Sequence, residues 1–130
     1  MSLWSIFRSP LMFGGDLPSN DAFTLSLLTN REVLAINQHS RNNRELFVRD
    51  NLIAWTADAP RGRDKYLAIF NLNDGPQAAA INISLREIGL SGNCRVRDLW
   101  QRESMGVARH ELKATVASHG AQLLKLTPVD

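Results

Sequence analysis

Thirteen carboxylates are the groups in this 130-residue chain with the widest chemical reach, because two of them held across a bond can act as general acid and as nucleophile or base. No spacing singles out such a pair. Most stand in turns or beside arginines, as Asp50 after Arg49 and Asp98 after Arg97, where a solvated or ion-paired role is the simpler reading. Asp16 differs. It follows the apolar run Pro10-Leu11-Met12-Phe13 and the pair Gly14-Gly15, at the C-terminal end of what reads as a parallel strand, where barrel enzymes keep their sites. Asp16 is therefore the one candidate for substrate contact, against the plainer role of a turn former or helix-adjacent cap.

The other reactive residue types fall into no working pattern. Gly14-Gly15 lacks the full dinucleotide spacing and no Lys-Ser or Lys-Thr follows, so a phosphate loop is not supported. No serine stands in a G-x-S-x-G elbow, and Cys94 lies inside an expected strand, where a thiol acts as a small buried hydrophobe. His39, His110 and His119 are too far apart to suggest zinc ligands; His110 and His119 flank one strand as surface or turn residues. The expectation is no catalytic residue, no metal and no cofactor. Trp4, Trp55 and Trp100 could stack against sugar rings, but each lies in an apolar run and is expected in the core.

Those residues must be positioned by an ordinary folded domain. Hydrophobic residues make up 44% and charged residues 22%, and a chain of this length buries roughly two thirds of its unfolded surface without a disulfide, which the single cysteine excludes internally. A complete (β/α)₈ barrel needs about 200 residues or more and does not fit. Twelve of the fifteen basic residues are arginines scattered from Arg8 to Arg109, and the net charge is only +2, so no basic stripe for nucleic acid is present. No segment approaches the roughly 18 apolar residues of a membrane span, and residues 1–16 lack the basic start and long apolar middle of a secretion signal. No nucleic-acid or membrane partner is expected, and no compartment is assigned.

Two zones divide the chain, with His39 to Arg44 reading as a linker. Before it, Pro10 to Phe13 reads as a strand, Gly14-Gly15-Asp16 as a turn, and the spacing of Ala22, Leu25, Leu28, Val33, Leu34 and Ile36 as helix. Ser19 or Asn20 can cap the first helical turn, with Asp21 favourable there, and Thr29-Asn30-Arg31-Glu32 supplies a second cap with Glu32 reaching back, so two short helices should meet near Thr29. After residue 45, strands are expected at 51–56, 65–72, 79–85, 94–100, 111–116 and 121–126, with a possible short edge at 46–49. Turn residues separate them, Ser104 to Gly106 among these. Ile81, Ile83 and Leu85 alternate with Ala80, Asn82 and Ser84, as an antiparallel two-sheet β-sandwich requires, and Tyr66, Ile69, Phe70, Trp100 and Leu124 would share one core.

The blocks Trp4 to Leu17 (WSIFRSPLMFGGDL) and Leu27 to Gln38 (LLTNREVLAINQ) resemble the C-terminal part of α-galactosidases of glycoside hydrolase family 27. Tyr66 to Asn71, Val96 to Trp100 and His119 to Leu126 are similar to that family's C-terminal sandwich. The resemblance implies a mainly β chain: residues 1–40 as the last strand and helix of a (β/α)₈ catalytic barrel, and residues 45–130 as the C-terminal antiparallel, Greek-key type sandwich. Pro10 to Gly14 would be the eighth barrel strand, Asp21 to Gln38 the eighth helical segment, and the residues before Pro10 the end of the seventh helix.

The family cleaves terminal α-galactosides with retention, using two aspartates on earlier barrel strands whose motifs are absent here. The resemblance thus implies an α-galactosidase-like C-terminal piece that meets substrate only through barrel strands it lacks and is inactive alone. A stand-alone sandwich binding carbohydrate or protein is the alternative. The orphan barrel strand would also invite self-association.

Overall fold

The computed structural model describes residues 1–129. Three helices, α1 (Ser2–Phe7), α2 (Ala22–Leu28) and α3 (Arg31–His39), precede eight strands. The strands are β1 (Arg41–Arg49), β2 (Leu52–Asp58), β3 (Lys65–Asn71), β4 (Ala79–Ser84), β5 (Asn93–Asp98), β6 (Glu103–Arg109), β7 (Glu111–Val116) and β8 (Ala121–Val129). Their order is β1-β2-β3-β8-β5-β6-β7-β4, with every neighbouring pair antiparallel.

Between β6 and β7 the ladder consists of a single pair, Arg109 with Glu111, across His110 at φ 64°. There the chain turns over, and β7 with β4 becomes the second sheet of an antiparallel sandwich. Between the sheets lies one core, with Leu67, Ile69, Cys94, Val96, Leu124 and Leu126 from the large sheet meeting Ile83, Leu112, Ala114 and Val116 from the small one.

A second core lies on the opposite face of the large sheet. Ile6 of α1 and Val33 and Ile36 of α3, all fully buried, pack with Ala57, Tyr66, Ala68, Leu99 and Leu123. The molecule therefore has three layers: helices, large sheet, small sheet. This explains why Tyr66 to Ile69 is buried at every position, since a strand covered on both faces loses the inside-outside alternation. It also corrects the single core expected from sequence: Ile69 and Leu124 face the sandwich interior, whereas Tyr66, Phe70 and Trp100 belong to the helical side.

The helices start where side chains can accept orphan amides. Asp21, not Ser19 or Asn20, caps α2 by accepting from the Thr24 amide at 2.7 Å. Asn30 caps α3, its Oδ1 accepting from the amides of Glu32 and Val33 at 3.1 and 3.3 Å. Glu32 does not reach back; its carboxylate is taken by Arg97 of β5.

Three further expectations change. Pro10 to Gly14 lies in no strand, because a strand needs a neighbour for its amides and carbonyls and all eight ladder strands come from after residue 40. The polar stretch taken as a linker, from Arg41 onward, is the start of β1; register shifts between Arg41 and Arg44 and between Glu45 and Phe47 hide the strand's alternation. Ser104 to Gly106 lies within β6 and is not a turn between strands: Val96 pairs with Gly106 and Arg97 with Ser104, so Met105 is an extra residue in a bulge that Gly106 allows at φ 90°. β5 also stops at Asp98, whose Oδ1 accepts from the amides of Trp100 and Gln101, both at 2.9 Å.

Candidate functional site

The helical side carries most of the exposed large hydrophobic residues among those described. Of the thirteen exposed large hydrophobic residues among those described, nine lie between Leu3 and Leu25, with Met12 at 92% and Phe23 at 69% exposure. Monomeric surfaces rarely gather so many in one stretch. Within this region Trp4, Leu11, Met12, Phe13, Leu28 and Leu34 line an open cavity of about 530 Å³. No titratable side chain lines it.

The groove is held open by polar ties. Asn37 of α3 donates its Nδ2 to the carbonyl of Ser9 at 2.7 Å and to that of Trp4 at 3.3 Å. Arg8, in the left-handed conformation that ends α1, donates through Nε to the Asn37 carbonyl at 3.0 Å. These bonds satisfy a carbonyl at the end of α3 and carbonyls in and just after α1, and fix the point from which Pro10 to Phe13 departs.

The candidate residues are not brought together. Asp16 sits on the exposed rim of this loop, accepting from the Ser19 hydroxyl as it leads into the 3₁₀ turn Leu17–Ser19. Trp4 is 56% exposed and lines the groove, contrary to the expectation of a core position. Trp55 and Trp100 are half-buried: the Trp55 ring lies 5.0 Å from Phe7, and Trp100 Nε1 donates to Ser2 Oγ at 2.8 Å. The tryptophans thus seat α1 on the sheet and do not form a common platform. Cys94 is buried, which pushes its thiol pKa up and away from nucleophilic use. His110 and His119 occupy turns at φ 64° and 53°.

Four of the carboxylates are engaged in ion pairs with Lys or Arg. Glu32 bonds Arg97 through two contacts of 2.8 Å, Asp58 pairs with Lys65, Glu87 with Arg49, and Asp64 with Lys125 at 2.9 Å. The carboxyls of Asp21, Glu32, Asp58 and Glu87 all shift below their ordinary values, because hydrogen bonds to each favour the ionised form. A general acid needs the opposite shift. Among the described residues no cluster of three or more His, Cys, Asp or Glu is placed to hold a metal, and no helix is long and apolar enough to cross a membrane. What the arrangement offers is a shaped apolar surface. The sequence marks Leu11, Met12, Phe13, Leu28 and Leu34 as apolar but does not place them on one surface with Asn37; they meet only when α2 and α3 fold.

A two-sheet antiparallel domain whose outer face is closed by helices is the class this geometry defines. Residues 49–126 match the family described as the α-galactosidase C-terminal β-sandwich domain, and the chain belongs to that family. It is 31% identical over 130 residues to α-galactosidase 2 of Arabidopsis thaliana, covering 97% of this chain and 32% of the relative. With the α-galactosidase of Coffea arabica it shares 31% over 133 residues, covering 98% and 34%. Among solved structures, the glycoside hydrolase family 27 β-L-arabinopyranosidase of Geobacillus stearothermophilus superposes with a TM-score of 0.90 at 38% identity, covering 98% of this chain and 29% of that one. The chain therefore spans about a third of the length of the relatives it matches.

Proposed function

We propose that these residues form the C-terminal part of a retaining α-galactosidase-like glycoside hydrolase acting on terminal α-galactosides, and that they do not turn over substrate by themselves. In this reading residues 1–40 complete a (β/α)₈ barrel: Pro10 to Gly14 becomes its last strand once neighbours supply backbone partners, and Asp16 faces the substrate side at that strand's end. The observation that carries the reading is the apolar groove of Trp4, Leu11, Met12, Phe13, Leu28 and Leu34, which has the character of a core surface and holds no titratable side chain. The alignment with relatives three times as long supports it.

Retention requires two carboxyl groups about 5 to 5.5 Å apart on a rigid scaffold. The reading therefore takes both from polypeptide outside these 130 residues. One relative bears the name α-galactosidase and a solved one the name β-L-arabinopyranosidase, with the same module in both, so we place sugar choice outside the module.

The test is an assay of the purified chain with an aryl α-galactoside. No turnover is expected; release of the phenol well above background would refute the proposal. An in-frame continuation encoding further strand-helix units in the DNA upstream of Met1 would support it. Titration with galactosides should leave tryptophan fluorescence unchanged, because Trp55 and Trp100 are committed to packing and Trp4 stands in a wall of mainly apolar side chains; a saturable change would instead favour a stand-alone sugar-binding module.

A further inference from the structure

Three arginines from distant parts of the chain converge on a second cavity, of about 490 Å³, beside the C-terminal end of α3. Arg8 follows α1, Arg41 opens β1, and Arg61 lies in the loop between β2 and β3. Gln38, His39 and Ser40 supply more of the wall, and no carboxylate lines it. Arg8 is positioned by its bonds to the carbonyls of Asn37 and Gln38, at 3.0 and 3.3 Å. Arg41 and Arg61 have no hydrogen bond or ion pair from their side chains to any described residue.

The nearby acids do not explain this gathering of charge. Asp58 is occupied by Lys65 and by Asn42 Nδ2, and Asp64 by Lys125. Like charges around a concave surface repel one another, and the arrangement creates a positive potential that an entering anion relieves. Guanidinium groups present planar forks that match pairs of oxygens on phosphate or sulfate. The cavity falls in the size range of small-molecule sites, roughly 300–1,000 Å³, and exceeds what a bare oxyanion fills.

We infer that this cleft binds a tetrahedral oxyanion, phosphate or sulfate, between Arg8, Arg41 and Arg61, with room for a small polar molecule that carries it. The site adjoins the apolar groove, sharing Gln38 with it, but its arginines line only this cleft, and it does not depend on the proposed hydrolase role.

The test is a nuclear magnetic resonance titration of the ¹⁵N-labelled 130-residue chain with inorganic phosphate, a hexose monophosphate and sodium chloride at constant ionic strength. Saturable shifts confined to residues 8, 38–41, 61 and 62 are expected with the phosphates and not with chloride. The affinity should fall at least tenfold in R41Q/R61Q and stay unchanged in R95Q, an exposed arginine of β5. Tighter binding of the hexose phosphate would assign the ester as ligand; equal binding would assign the free ion. R61E, confined to a loop, gives the same readout should the double variant misfold. Equal shifts with chloride, or phosphate affinity unchanged by R41Q/R61Q and R61E, would overturn the inference.

Discussion

Asn30 donates its Nδ2 to the carbonyl of Leu99 at 2.8 Å while its Oδ1 caps α3, so one buried amide joins the start of a helix to the end of β5 across 69 residues of sequence. Both functions are local necessities. The cap satisfies amides that have no partner inside the helix, and the bond to Leu99 satisfies a carbonyl just beyond the strand.

Replacing Asn30 with Ala removes both and should destabilise the chain by about 2–4 kcal/mol, the sum of a lost cap and a buried unpaired acceptor. N30D keeps the cap acceptor but loses the donor to Leu99, and should still be less stable than wild type. Urea unfolding of the three proteins checks this; an N30A midpoint equal to wild type would show that the joint carries no stability.

The second core predicts an uneven pattern of amide exchange in the first forty residues. An orphan barrel strand with unpaired backbone leads one to expect lower protection before residue 40 than after it. The structure divides that stretch. Around Ile6, Val33 and Ile36, α1 and α3 should be protected comparably to the sheet they cover, whereas residues 9–20 and α2, which buries no residue, should exchange rapidly. I36A should cost about 2–5 kcal/mol and release protection in α1 as well as α3. Fast exchange throughout residues 1–40 would contradict the three-layer packing.

Glu32 and Arg97 tie α3 to β5, and the hydrogen bond from Arg97 is the chief cause that lowers the Glu32 pKa below 4.5. A depressed folded-state pKa means the carboxylate adds stability that is complete above the unfolded value and is lost as pH falls through the folded one. Wild type should therefore be more stable than E32Q at pH 7, and the gap should close as the pH falls below about 4.5. Thermal melts of both proteins across pH 3 to 7 measure it. A gap that is constant with pH would remove the ion pair from the account.

The exposed apolar stretch from Leu3 to Leu25 should make the isolated chain associate with itself as concentration rises. M12S/F23S removes the two most exposed members without touching either core, and should shift sedimentation toward the monomer. Identical sedimentation of variant and wild type would place any association elsewhere.

How far the sequence could be read follows from the kind of signal each element carries. Strands β2, β3, β4, β7 and β8 are legible because runs such as Leu67 to Phe70 or Ile81 to Leu85 are bounded by turn residues. β6 is not, because its bulge at Met105 and Gly106 imitates a turn. β1 was only half visible, since its first residues are polar and shift register against β2. Both helix starts are legible to within two residues, but the residue that caps α2, Asp21, and the partner of Glu32 are not, since only the folded chain brings Glu32 to an arginine 65 residues away. The same holds for both cavities. The groove unites residues 4 to 38 through tertiary packing, and Arg8, Arg41 and Arg61 show no relation in sequence.

The single-pair junction at His110 has a mechanical consequence. Since β4 and β7 are bonded to each other along their whole length but to the larger sheet through one rung only, they should peel away as an intact hairpin-like flap under load or in mild denaturant. The latch opposing that motion is the oily contact of Ile83, Leu112, Ala114 and Val116, together with the bond from Asn71 Nδ2 to the Val116 carbonyl at 2.9 Å. Among the strands, loss of structure on heating would accordingly begin at this flap, ahead of the helix-backed sheet.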